Sequence, residues 1–249
     1  MQRRWLWFAG PALLVLVWWV ATALQLIRPI FLPPPLEVAK ALGRLALAEE
    51  SVLSRSVIFT LLRVLAGLAV GTAIGLPVGL VLGYFSRLYV VWEVPLDFFR
   101  STPVTALFPF FLLVFGVGDE CKITIASWSV GLIMVINTIY GVRGCSRARS
   151  MYLKSIGASP WHAMLYHIVP EAAPSIIAGL RISISQAFIV VIVTEMLFGA
   201  DVGIGYSLYG ASLMYRTDEV IALIIVAGLL GYAVNKSAEK VGKYVIFWQ

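Results

Sequence analysis

Residues 143–174 read RGCSRARSMYLKSIGASPWHAMLYHIVPEAAP and form a polar, basic segment between two long apolar runs of the chain. Within this segment, Gly157 can end a helix with a positive φ angle, which other residues rarely adopt. Ser159 and Pro160 then suit the N-cap and the first turn of a second helix. The segment therefore predicts two short helices held at a fixed angle by a sharp turn, which is typical of a docking surface.

The remainder of the chain is strongly apolar. Of its 249 residues, 60% are hydrophobic and only 13% are charged, which is more apolar surface than a soluble domain of this length can bury. The composition predicts an all-α, polytopic membrane protein. The formal net charge of +6 fits basic residues on the cytoplasmic side of a membrane and needs no nucleic acid. Cys121 and Cys145 fall on opposite sides in the topology below, so no disulfide is expected.

Six membrane-spanning helices are predicted from the apolar runs. Their expected ranges are 5–27, 57–84, 95–115, 123–142, 175–198 and 219–234. Lys and Arg residues near the span ends are in excess on the side that carries both termini, which places the N- and C-termini in the cytoplasm. The first run also resembles a signal peptide, but it is long enough to span and is expected to be retained. A proline-rich connector, 28–35, and an amphipathic helix on the outer surface, 36–50, follow it.

The third expected span carries Pro95, Pro103 and Pro109 together with several polar residues. A span this rich in proline is predicted to be broken, because freed backbone groups are tolerated only where protein or water satisfies them. Broken helices and intramembrane charges are typical of a translocation path, which makes Arg100 a candidate path residue. Alternatively, Arg100 and Asp97 pair with each other near the cytoplasmic surface.

The second expected span contains a glycine at every fourth position. These residues, the glycine stripe, are Gly67, Gly71, Gly75, Gly79 and Gly83. Residues four apart lie on nearly one face of a helix, so the stripe forms a groove that lets another helix approach closely. That helix is either another span of the same chain or part of a second subunit, and both interpretations remain open.

No motif for nucleotide binding or catalysis is evident in the sequence. A phosphate-cradling loop of the form GxxxxGK[ST] is missing. His162 and His167 do not share a helix face and have no accompanying Cys or carboxylate cluster, so no metal site is expected. No nucleophile with a neighbouring base stands out either. The chain is therefore expected to be a passive path and not an enzyme, with its energy source in another protein.

Three motifs of the basic segment and its continuation resemble the cytoplasmic EAA loop of ABC importer permeases. They are SIGASPW at 155–161, IVPEAAP at 168–174 and GLRI at 179–182. Further motifs narrow the resemblance to the nitrate, sulfonate and taurine branch: FLPPPLEV at 31–38, RSTP at 100–103, FGVG at 115–118, TEM at 194–196 and GIGY at 203–206. One departure is clear, since Met151-Tyr152-Leu153 stand where the family usually has Glu-Ala-Ala. Glu171-Ala172-Ala173 has the same letters but aligns with the later, proline-flanked part.

The resemblance implies the type I ABC importer permease (MetI-like) fold. Residues 1–56 would hold the first helix, the connector and the amphipathic helix, and residues 57–249 the permease core with its coupling loop, 143–174. The family implies a homodimer in a bacterial inner (plasma) membrane, two ABC ATPase subunits docked below it, and a periplasmic or lipid-anchored substrate-binding protein above it. ATP and Mg would be bound by the ATPase, with no cofactor on this chain. The expected cargo is a sulfonate- or taurine-type solute or another small anion.

Two sets of residues are assigned to roles on these grounds. The ATPase-docking residues of the coupling loop are Lys154, Ser155, Ile156, Gly157, Ala158, Ser159, Pro160 and Trp161. The residues of the translocation path are Arg100, Thr102, Pro103, Arg181 and Glu195. Of the second set, Arg100, Arg181 and Glu195 are expected to face the interior of the dimer.

Two other classes of function remain open. A secondary transporter or channel that works without an ATPase would show inverted repeats and paired intramembrane ion ligands, and no convincing repeat is present. An assembly or scaffold membrane protein would not need a broken third span.

Overall fold

The computed structural model describes residues 6–47, 52–199 and 201–245, and these form helices and the turns that connect them. The α-helices are α1 (Leu6–Ala23), α2 (Pro35–Leu47), α3 (Val52–Tyr84), α4 (Ser86–Ser101), α5 (Phe108–Phe115), α6 (Asp119–Arg143), α7 (Arg147–Ser155), α8 (Pro160–Ala163), α9 (Val169–Leu197), α10 (Ile204–Leu213) and α11 (Thr217–Val245). A 3₁₀ turn, Val104–Leu107, precedes α5, and a π-helical turn, Met164–Ile168, joins α8 to α9. The all-α fold class is confirmed.

Within the described residues, four helices are long and apolar enough to cross a membrane. They cover Leu53–Tyr84, Asp119–Arg143, Trp161–Leu197 and Thr217–Tyr244. A fifth crossing is available to α4 and α5 together, which meet at a bend of 91°. The helix expected at 5–27 is represented by α1, a shorter apolar helix that ends at Ala23, and residue 5 lies outside the described residues. The polytopic membrane architecture is confirmed, with an N-terminal helix shorter than expected.

The third expected span is broken as predicted, although its helix begins earlier. Helix α4 already starts at Ser86, before the expected range 95–115, so Pro95 lies inside the helix and not at its start. The chain leaves helical geometry at Thr102, with φ −77° and ψ 122°, and at Pro103, with φ −58° and ψ 125°. A proline disfavours the α conformation of the residue before it, which explains why the helix ends here.

The chain divides into two compact units, and each has its own core. The first consists of residues 1–60 and 199–230, and the second of residues 61–198 and 231–249. In the first unit, Val38 of α2 packs with Ala222 of α11 and with Trp18. The amphipathic helix expected at 36–50 is therefore present as α2 up to Leu47, with its buried side against other helices of the unit. Residues 48–50 lie outside the described residues, and the location of this helix on the outer surface stays a prediction. The separate prediction of a domain boundary at residue 56 stays a prediction.

The pair α6 and α9 forms the centre of the second unit. The two helices run antiparallel, since Gly141 lies beside Ala172 and Asn137 lies beside Gly179. Helix α7, α8 and the turn between them, residues 147–163, are called the elbow below. The end of the α6–α9 pair next to the elbow is the elbow end, and the opposite end, near the start of α6, is the far end.

Candidate functional site

The turn of the elbow has the geometry that the sequence predicted. Gly157 has a φ of +75°, and the N–H of Ala158 donates to the carbonyl of Leu153 at 3.0 Å, so a left-handed glycine ends α7. Ser159 caps α8, because its hydroxyl accepts the N–H of His162 at 3.3 Å. Both local predictions are confirmed, and the two helices are held by a turn that only a few residue types can form.

The elbow exposes large apolar and aromatic side chains. Those at least half exposed are Met151, Tyr152, Ile156, Trp161 and Tyr166, the last in the adjoining π-helical turn. Of the residues assigned to docking, Lys154 lies in α7 and Pro160 begins α8, but their side chains are outside what the structure describes. An exposed patch of this kind, flanked by basic residues, is typical of a surface that contacts another protein.

The second helix of the elbow continues without a break into the fifth expected span. One continuous helix runs from Trp161 to Leu197 and includes Pro170 and Pro174. The reason is the π-helical turn, in which the N–H of Val169 bonds to the carbonyl of Met164. Its extra residue precedes Pro170, where a regular helix would be crowded by the proline ring. A force on α8 therefore acts directly on α9.

Glu171 ties the start of α7 to α9 at the elbow end. One carboxylate oxygen, Oε1, accepts the backbone N–H of Ser146 at 3.1 Å. The other, Oε2, lies 3.2 Å from Nδ1 of His167 and 3.6 Å from Nη1 of Arg149. Next to this cluster, burial and, to a lesser degree, the Glu171 charge raise the pKa of Cys145 to about 11. The Cys145 thiol is therefore protonated and unreactive at neutral pH.

The residues assigned to the path are not gathered in one place. Arg100 pairs with Asp97 at 3.2 Å, and both side chains are more than half exposed. The alternative interpretation, in which these two residues pair with each other, is therefore the one seen in the structure. Thr102 and Pro103 lie at the break after α4, with Thr102 half-buried and Pro103 exposed. Arg181 is 47% exposed and lies beside the last turns of α11, 3.4 Å from the amide oxygen of Asn235.

Glu195 differs from the other assigned residues because its side chain is fully buried within the chain. Its Oε1 accepts a hydrogen bond from Nη1 of Arg63 at 2.6 Å. Arg63 also donates to Asp119 at 2.8 Å through Nε, and Lys122 lies 3.6 Å from the same carboxylate. The expectation that Glu195 faces the interior of a dimer is therefore corrected: in this structure it closes a far-end cluster of two cations and two anions.

Arg63 is the residue that sequence reasoning missed. It lies inside the second expected span, and its side chain is 6% exposed and contacts Asp119 of α6 and Glu195 of α9. The available signal was its position, since a charge inside an apolar span needs an opposite partner. Its partner Glu195 could not be found in this way, because 132 residues separate the two and no local pattern joins them.

The structure places the glycine stripe against α6. A Cβ atom added to Gly71 would come within 2.6 Å of the carbonyl oxygen of Ser127, and one on Gly75 within 2.6 Å of the carbonyl oxygen of Gly131. The other members, Gly67, Gly79 and Gly83, show similar distances to Ala126, Thr138 and Val142. The stripe is thus filled by another helix of the same chain.

An apolar cavity of about 1080 Å³ is lined by residues of the broken helix, α3 and α6. Trp92, Phe99, Phe111 and Trp128 line it, and Glu120 is its charged lining residue. Among the described residues, no three His, Cys, Asp or Glu side chains are grouped so that they could hold a metal ion.

Comparison with known proteins decides the family. Residues 71–245 match the model of the family described as binding-protein-dependent transport system inner membrane component. The chain belongs to this family. The match contains the broken helix and the elbow of the permease, whereas α1 and α2 lie before it.

Two curated relatives of this permease are named for the solutes that they transport. The taurine transport system permease protein TauC of Escherichia coli (strain K12) is 27% identical over 240 residues, covering 95% of this chain and 87% of that protein. The putative aliphatic sulfonates transport permease protein SsuC of the same organism is 30% identical over 251 residues, covering 99% and 94%.

A solved relative confirms the fold. One chain of the MetNI methionine ABC transporter, solved in inward-facing conformations, superposes on this permease with a TM-score of 0.69. The two chains are 20% identical, and the superposition covers 79% of this chain and 97% of that chain. At this identity the likeness shows the fold alone. The expected MetI-like permease fold is confirmed, and the chain is an ABC importer permease, not an enzyme.

Proposed function

We propose that two copies of this permease form the translocation path of an ATP-driven importer, and that the elbow docks on a separate ABC ATPase. The observation that carries the proposal is the elbow itself, which exposes Ile156 and Trp161 and continues through α8 into the fifth span. A rigid connection of this kind lets a partner that changes shape move a membrane helix.

The docking role is tested by co-purification. Ile156→Glu and Trp161→Glu place charge on exposed side chains, so we expect the permease to fold and its complex with the cognate ATPase to weaken at least roughly tenfold. Leu47→Glu is the matched control, because Leu47 is 85% exposed and belongs to α2, which is not part of the elbow. Transport by the purified permease alone, driven by an ion gradient, would instead support the secondary transporter.

The topology follows from the same proposal. If the elbow meets a cytoplasmic ATPase, α6 and α9 must run so that the elbow end faces the cytoplasm, and both termini lie on that side. A single cysteine introduced by Ser155→Cys, with Cys121 and Cys145 replaced, should react with a membrane-impermeant maleimide in inverted vesicles. Labelling in intact cells would show instead that the elbow lies outside the cell, and the docking proposal would then be rejected.

The cargo we propose is a taurine- or sulfonate-type anion, delivered by a binding protein from the outer side. Support comes from the names of two relatives that align with nearly the whole chain, and from the exposed basic residues Arg100 and Arg181. The test is uptake of labelled taurine by vesicles that contain the permease, its ATPase and its binding protein. Competition by alkanesulfonates and not by methionine is expected, and the reverse order would reject this cargo.

A further inference from the structure

Helix α7 has little to hold it in place apart from its ends. Among its described side chains, Leu153 is half-buried and all others are exposed. Every charged residue of α7 is basic: Arg147, Arg149 and Lys154. Hydrophobic burial therefore contributes little to the orientation of this helix, which leaves polar contacts at its ends to fix it.

The acidic partner of α7 comes from α9. Ser146, the residue just before α7, accepts the N–H of Arg149 on its hydroxyl at 3.4 Å, as an N-cap does. Glu171 in turn accepts the backbone N–H of Ser146, so it fixes the capping residue itself. Its second oxygen is paired with Arg149 and His167 at ion-pair distances without hydrogen-bond geometry.

The surroundings favour a strong effect of this one carboxylate. The side chain of Glu171 is 26% exposed and that of His167 is 8% exposed, so water screens their contacts only partly. A carboxylate at the start of α7 also lies where the helix dipole favours negative charge. Beneath it, Val142, Ile168 and Ala172 pack together and hold α6 and α9 at a fixed distance. The base is thus rigid, and Glu171 connects it to the exposed helix.

We propose that Glu171 is a positioning residue that fixes α7 to α9, so that movement of an ATPase bound to the elbow is passed to the fifth span. The inference rests on the proposed docking function. Glu171 contacts neither cargo nor ATP in this role, and acts only through the orientation of α7.

The first test measures the orientation of α7 directly and needs no partner. Two spin labels are attached to cysteines introduced by Tyr152→Cys on α7 and Tyr166→Cys in the π-helical turn, since both sites are exposed. The native Cys121 and Cys145 are replaced so that only these two sites are labelled. The distance distribution should be narrow with Glu171, broad in Glu171→Ala and narrow again in Glu171→Asp. An unchanged narrow distribution in Glu171→Ala would overturn the inference, whatever happens to transport.

The second test measures coupling in vesicles that contain the permease, its ATPase and its binding protein. We expect Glu171→Ala to keep the complex and its basal ATP hydrolysis but to lower the transported solute per ATP by roughly tenfold, the scale of a lost charge-assisted hydrogen bond. Glu171→Gln should lie between, since its amide oxygen can still accept the Ser146 N–H. Glu37→Gln, which removes an exposed carboxylate paired with Lys40, is the control and should transport normally.

The outcomes separate this inference from the docking proposal. If the unaltered permease forms no complex with any ABC ATPase, the docking proposal fails. The spin-label distances then decide by themselves whether Glu171 fixes the orientation of α7. If the complex forms and Glu171→Ala couples as well as the unaltered permease, the docking proposal stands and the positioning role is rejected.

Discussion

The two ends of the α6–α9 pair use the same residue types in opposite ways. At the far end, Arg63, Lys122 and Glu195 are at most 6% exposed, and each lies within reach of an opposite charge of the same chain. At the elbow end, Arg149 is 70% exposed and its contact with Glu171 is long. The comparison teaches that the far-end charges hold three helices together, whereas Arg149 at the elbow end stays exposed to a partner.

The largest expected effect comes from breaking the far-end cluster. Glu195→Ala leaves the Arg63 guanidinium buried without one of its partners, which costs about 3–5 kcal/mol of folding free energy. We expect a large drop in the midpoint of thermal unfolding of the detergent-purified permease. The matched variant Arg149→Ala at the exposed end should change the midpoint little.

A double variant sharpens the same contrast. Replacing both partners, Arg63→Met with Glu195→Met, removes the charges together and leaves Asp119 beside Lys122. Folding should then recover most of its stability, as for other buried ion pairs exchanged for apolar residues. If the double variant is as unstable as Glu195→Ala, the cluster does not act as an internal pair.

The next effect concerns the close approach of α3 and α6. Gly71→Ala places a Cβ atom against a backbone carbonyl that cannot move aside, so we expect a loss of about 1–3 kcal/mol. Gly228→Ala in α11 is the control, because nothing lies within 4 Å of its added Cβ. Equal stability of the two variants in thermal unfolding would show that α3 and α6 are more loosely packed than described.

A smaller effect on stability, with a larger one on transport, is expected at Arg100. Its exposed pair with Asp97 contributes less than about 1 kcal/mol, so Arg100→Gln should fold normally. If Arg100 lines the path, uptake should require a higher concentration of loaded binding protein. Asp97→Asn tests the pair without removing the cation, and equal uptake by all three proteins would remove Arg100 from the path.

The smallest effect is chemical and leaves folding unchanged. With a pKa of about 11, Cys145 should react with iodoacetamide slowly at pH 7.5, and its rate should rise about tenfold per pH unit up to that pKa. Glu171→Gln removes a negative charge that raises the pKa, so the reaction at neutral pH should become faster. Rapid labelling of the unaltered protein at pH 7.5 would contradict the buried environment.

The features predicted correctly from sequence are those that depend on neighbouring residues. Gly157 and Ser159 define the turn of the elbow within a few positions, and Pro103 breaks the third span by its own ring. The partner of Glu195 could not be predicted, because Arg63 reaches it only through the packing of α3 on α6 and α9. The helix through Pro170 was missed because the π-helical turn that accommodates the proline has no simple sequence pattern.

The five glycines of α3 have a further consequence for how such a permease can move. Each one receives a side chain or carbonyl of α6, and the notches repeat every four residues, which is about 6 Å along a helix. Sliding one helix along the other would therefore require them to separate first or to shift by a whole notch. We therefore expect α3 and α6 to move as one body during transport, with the changes in shape in the helices around them.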